Sequence, residues 1–150
     1  MTWYTVLKFV HVLLAITAVG SNITYGVWNM LAAREPEHLP FAVRGIAFID
    51  RRVANPSYGL LLITGLALLA VGNWGFRGWV VAALILFVLL IVVAIGFYSR
   101  VVRGQIQALE TEGQASAAYK RLTGQATTYG IVSLVLALAI VFLMVVKPFP

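Results

Sequence analysis

The sequence contains no cysteine. Disulfides, thiolate metal sites, iron–sulfur clusters and thiol nucleophiles are therefore excluded. Charge is scarce as well: 11% of the 150 residues are Asp, Glu, Lys or Arg, where a soluble domain carries about 25%. The five acids, Glu35, Glu37, Asp50, Glu110 and Glu112, all fall between the long apolar runs. On this reading no carboxylate lies inside a span, so paired-carboxylate hydrolysis and carboxylate-bound metal in the membrane drop out. A proton- or sodium-coupled carrier is also disfavoured, since its site usually needs an intramembrane acid. There are two histidines, His11 and His38, and no GxSxG, HExxH, P-loop or Rossmann glycine pattern. One histidine in the apolar runs, with no acid beside it, leaves no catalytic triad. No catalytic residue and no metal site is assigned.

What is present is hydrophobicity. Apolar residues make up 61% of the chain, and its mean hydropathy is +0.94. These values describe an integral membrane protein. The net charge of +6 does not indicate nucleic acid. The basic residues sit at the ends of apolar runs, where anionic headgroups and the positive-inside rule account for them.

Four spans are expected, at about 3–33, 53–72, 79–100 and 122–146, forming one transmembrane domain with no internal repeat. The first run lacks a basic residue before it and is longer than a cleaved signal's apolar core, so it reads as a retained helix. Arg34-Glu35-Pro36 ends it. From Arg34 to Arg52, Phe41, Val43, Ile46, Phe48 and Ile49 alternate with charges. That spacing suits an amphipathic helix in the headgroup region or one packed under the bundle. Asn55-Pro56-Ser57 reads as the start of the second span. Gly59, Thr64 and Gly65 allow a close helix neighbour there. The turn Asn73–Gly78 makes the second and third spans antiparallel neighbours. The third span, nearly all Leu, Ile and Val, reads as the most lipid-exposed, and its helical pattern extends towards Glu110. Ala126, Gly130, Ser133 and Ala137 form a small-residue stripe on the fourth. Eight of the eleven Lys and Arg fall between spans one and two or three and four. Positive-inside therefore puts both termini outside the cell membrane, as in a bacterial inner membrane.

The first run carries the polar groups. At about 100° per residue, the steps from His11 to Asn22 return to within about 20° of one direction. Tyr4, Lys8, His11, Ala15, Ala18, Asn22, Tyr25 and Asn29 thus share a stripe. Lipid offers such a stripe no hydrogen bond, so it faces protein, water or a ligand. His11 is interhelical glue, a heme b ligand, or a contact for a proton or small ligand. His38, about 40 Å further along, cannot share an iron with it. Asn22, Tyr25 and Asn29 either line a small cavity or bond across helices, with Thr64 or Ser133 as partners. Lys8, one turn outward from His11, snorkels to the outer headgroups or points inward to the same lining.

Three stretches carry a family likeness: Leu7-Lys8-Phe9-Val10-His11-Val12, Pro56-Ser57-Tyr58-Gly59 continuing to Leu68, and Leu143-Met144-Val145-Val146-Lys147-Pro148. They resemble the bacterial integral membrane proteins grouped as domain of unknown function 2269. That likeness implies a small multi-helix membrane protein and brings no activity. The Lys8-Phe9-Val10-His11 opening is more distantly similar to the heme-binding bundles of the copper-resistance D and protoporphyrinogen oxidase families. Only His11 matches their first-helix histidine.

The expectation is an all-α, four-helix integral membrane bundle with an amphipathic segment between helices one and two. Its function is expected to be a non-enzymatic accessory or small-ligand-binding module working through the first-helix stripe. A heme- or quinone-linked redox protein using His11 and a small channel or carrier are the alternatives. The partners are the bilayer and a homo-oligomer or membrane complex.

Overall fold

The computed structural model describes residues 2–72 and 75–149, and among them there is helix and no strand. Asn73 and Trp74, the first two residues of the turn expected between spans two and three, lie outside the described residues. Helix α1 runs Trp3–Arg34. Thr2 caps it, its hydroxyl accepting from the Thr5 amide, and Glu35 before Pro36 closes it. A short 3₁₀ turn, Pro36–His38, leads into α2, Leu39–Ile49. A π-helical turn, Asp50–Ala54, then passes into α3, Asn55–Val71. After the turn come α4, Gly78–Ile91, a second π segment, Val92–Tyr98, and α5, Ser99–Thr111. Ser116 caps α6, Ala117–Val146, by accepting from the Tyr119 amide. Among the described residues, four continuous helical rods are long and apolar enough to cross a membrane.

The segment between the first two spans is amphipathic, with Ala42, Val43 and Ile46 buried and Phe41, Arg44 and Phe48 exposed. It is not a separate piece, however. Asp50 and Asn55 both have right-handed helical dihedrals, so Pro36–Val71 is one rod, and Asn55-Pro56 is interior to it. Pro56 has no amide to bond the carbonyl four residues back, and its ring crowds that carbonyl. The wider π turn immediately before it is a standard way to absorb such a defect.

Packing is pairwise. α1 lies against α3 and α6, α4 against α6, and α2 against α1 and α5. Among the described residues α3 and α4 share no comparable seam, so the tight connection joins their ends without making them packed neighbours. On α6 the small-residue stripe is used: Ala126, Ser133 and Ala137 are buried, and a side chain at Gly130 would meet the Tyr98 ring at 3.5 Å. Gly65 likewise lets His11 approach, to 3.3 Å from where a Cβ would stand, whereas Gly59 faces open space. α4 with its π extension is not the most lipid-exposed rod: its most apolar stretch is 28% buried, against 17–22% in the others. Lipid and protein core are equally apolar, so composition alone does not separate the two environments.

The two ends of the bundle differ. At the end rich in arginine, Arg44 pairs with Glu110 at 2.7 Å and Gln105 donates to Thr123 at 3.0 Å. These contacts tie α2 to α5 and α5 to α6. At the opposite end the Lys147 ammonium sits 5.3 Å from the Trp79 ring centre.

Candidate functional site

From His11 to Tyr25 the polar stripe of α1 faces protein, and it divides into two levels. Towards the Trp3 end, His11 is half-buried and its Nδ1 lies 2.7 Å from the Thr64 hydroxyl on α3. Thr64 donates its single proton to the Leu60 carbonyl at 2.7 Å. The proton in the His11–Thr64 contact then belongs to Nδ1, which leaves Nε2 with a free lone pair. Deeper in, Asn22 is buried and donates to the Tyr58 hydroxyl at 2.8 Å and to the Ala18 carbonyl at 3.1 Å. Ser133 was the other partner expected for this stripe. Its hydroxyl is buried and has no hydrogen bond among the described residues.

Between these levels lies a cavity of about 490 Å³, walled by α1, α3, α4 and α6. Ala15, Leu61, Ala83, Phe87 and Ala137 are typical of its lining. Among the described residues, His11 and Tyr58 are the two polar side chains on its wall. Of the stripe residues expected to line a ligand, Asn22 and Tyr25 do not reach it, because their polar ends turn to Tyr58 and to the next level. Lys8 is exposed and Asn29 half-buried, and neither borders the cavity.

The second level was not foreseen. Asp50, expected in a surface loop beside arginines, is 5% exposed. Its Oδ2 accepts from the Ser99 hydroxyl at 2.6 Å and from the Asn55 amide at 3.4 Å. The Asn55 amide also donates to Ser99 at 3.2 Å, and Ser99 Oγ lies 3.1 Å from the Ala94 carbonyl. Asp50 with Asn55, and Ala94 with Ser99, are each five residues apart, the spacing a π turn brings together. Two π turns therefore meet at one point. Tyr25 stacks on Tyr98 beside them, ring centres 5.4 Å apart and planes 14° apart. The Tyr25 hydroxyl is near the Asp50 carboxylate but closes no hydrogen bond of normal geometry, and the Asn55 Oδ1 is buried and unpaired as well.

A register signal for Asp50 was present. If the helix is carried through from α2 to α3, Ile46, Asp50, Ala54, Tyr58 and Leu61 fall at helical steps on one buried face.

A bundle of four membrane-length helices, with Asn22, Asp50, Ser57, Thr64, Gln105 and Ser133 buried between them, defines a polytopic α-helical membrane protein. Residues 5–148 match the family described as predicted integral membrane protein, domain of unknown function 2269, and the chain belongs to that family. No curated protein and no solved structure matches it significantly.

Proposed function

We propose that this protein is a membrane-embedded binding module that takes a lipophilic molecule from the bilayer into the cavity between α1, α3, α4 and α6. The supporting observation is the cavity itself, 490 Å³ with His11 and Tyr58 its polar wall groups. The cavity opens towards the surrounding membrane, since Val12, Ile16, Ile23 and Leu138 on its rim are exposed. An apolar body can therefore enter it from the bilayer and cover apolar wall that lipid would otherwise have to fill. The cavity's volume lies within the range of about 300–1,000 Å³ typical of small-molecule sites.

The head of the ligand is set by His11. Its free Nε2 lone pair accepts, so the favoured ligand donates: a lipid alcohol, a phenol or a quinol, in preference to a quinone carbonyl. Two other readings fare worse. A heme would find one imidazole, with the Met144 thioether elsewhere on the same wall, and no cation on that wall for its two carboxylates. A water-filled channel beside Asn22 is disfavoured because Asn22 is tied to Tyr58 and the neighbouring space is apolar.

The test is native mass spectrometry of the protein released from lipid nanodiscs, followed by titration with a short-chain quinol and its quinone. A retained hydroxyl-bearing lipid, displaced by quinol better than by quinone, is the expected result. Ala83→Phe, which fills the cavity from a fully buried position, should abolish retention. Equal retention by a folded Ala83→Phe protein would remove the cavity as the site.

A further inference from the structure

We propose that the centre around Asp50 binds a small monovalent cation, either a proton or an alkali-metal ion. Three observations carry this, and none depends on the apolar cavity.

The first is charge. Asp50 is 5% exposed, and among the described residues no Lys or Arg lies within ion-pair distance of it. The charged and titratable groups that face it are Tyr25 from α1, Tyr58 from α3, Tyr98 from the second π segment and Arg103 from α5. Arg103 acts only at a distance and its side chain is exposed, as are those of Arg51 and Arg52 on the rod of Asp50 itself. A buried carboxylate with no counter-charge is neutralised by what it binds.

The second is the inventory of unpaired oxygens. Of the three buried side-chain atoms left without a hydrogen bond among the described residues, two flank this carboxylate: the Tyr25 hydroxyl and the Asn55 Oδ1. The Asn55 oxygen can only accept, so its missing partner is a donor or a cation. Tyr25 is 4% exposed and its hydroxyl is directed at the Asp50 carboxylate without closing a hydrogen bond of normal geometry, so a cation held there would meet both groups.

The third is proton accounting at Ser99. Its one hydroxyl proton faces two acceptors, Asp50 Oδ2 at 2.6 Å and the Ala94 carbonyl at 3.1 Å. A proton or cation on Asp50 releases the Ser99 proton to the Ala94 carbonyl and satisfies both. Two π turns, features that recur at functional sites, converge to build this oxygen-lined point.

The chain has a single aspartate, Asp50. Carbon-13 labelling of the aspartate side-chain carboxyl therefore reports this site alone, in the unaltered protein. The experiment is a solid-state NMR titration in bilayers: first pH at fixed potassium, then sodium and potassium each at fixed pH. A carboxyl resonance whose pH midpoint lies well above that of an exposed carboxylate identifies the ligand as a proton. One that moves with sodium or potassium at constant pH identifies a metal ion. A resonance that keeps the ionised-carboxylate shift down to the midpoint of an exposed carboxylate, and ignores both metal ions, overturns the proposal. Tyr25→Phe should weaken whichever response is seen by about tenfold, as expected when a group around a bound ion is removed. An unchanged midpoint in that variant excludes the Tyr25 hydroxyl from the site.

Discussion

The Ser99 hydroxyl donates to the Asp50 carboxylate across 2.6 Å, and that one contact joins the π turn of one long rod to the π turn of the next. A hydrogen bond is worth about 0.5–1.5 kcal/mol between neutral groups and about 1.5–3 kcal/mol to a charged one. Ser99→Ala should lower the free energy of unfolding by about 1 kcal/mol where Asp50 is neutralised and by about 2–3 kcal/mol where it is ionised, while Ser99→Thr, which keeps a hydroxyl, retains most of it. Equilibrium unfolding in mixed lipid–detergent micelles measures the difference. Equal stability of the two variants would show that the bond carries no net stabilisation.

The Asn22–Tyr58 bond invites a double-mutant cycle. Tyr58→Phe and Asn22→Leu each break it, and the pair together isolates the coupling. Interhelical hydrogen bonds in membranes average about 0.6 kcal/mol and reach about 1.7. This bond is buried and measures 2.8 Å, so a coupling in the upper half of that range is expected. A coupling indistinguishable from zero would mean that Asn22 finds an equal partner in the Ala18 carbonyl, its second acceptor at 3.1 Å.

How far the sequence could be read depended on the kind of signal. The four rods and the protein-facing stripe of α1 follow from hydropathy and helical period, because lipid leaves polar groups only one side to face. The α6 stripe follows in the same way from residue size. Asp50 did not emerge because two local signals pointed elsewhere. Asp50-Arg51-Arg52 is as charged as a loop, and Asn55-Pro56-Ser57 has the composition of a helix start. Both signals are overridden by continuity: the π turn absorbs Pro56, the rod runs on, and its buried face carries Asp50 inward between Ile46 and Ala54. The cavity was hidden for a different reason. Its wall is made of the same Ala, Leu and Val that face lipid elsewhere, and only the packing of α1, α3, α4 and α6 distinguishes them.

His11 gives a spectroscopic prediction. The cavity wall offers a heme one imidazole and no cation, so protein purified from heme-replete cells should show no Soret band before or after dithionite. A Soret band that shifts on reduction and disappears in His11→Ala would instead make His11 an axial ligand. It would also replace the lipid-alcohol reading of the cavity.

Orientation can be tested without background because the chain has no cysteine. Arg34, Arg44, Arg51, Arg52, Arg100, Arg103, Lys120 and Arg121 fall at one end of the rods, and Lys8, Arg77 and Lys147 at the other. The positive-inside rule assigns the richer end to the cytoplasm. Thr2 and Phe149 are exposed near the sparser end, and Gln114 is exposed in the connection at the richer one. Single replacements Thr2→Cys and Phe149→Cys should react with a membrane-impermeant maleimide in intact cells. Gln114→Cys should react only after the membrane is opened. The reverse pattern would place the Asp50 end outside, and any cation it binds would then be drawn from the external medium.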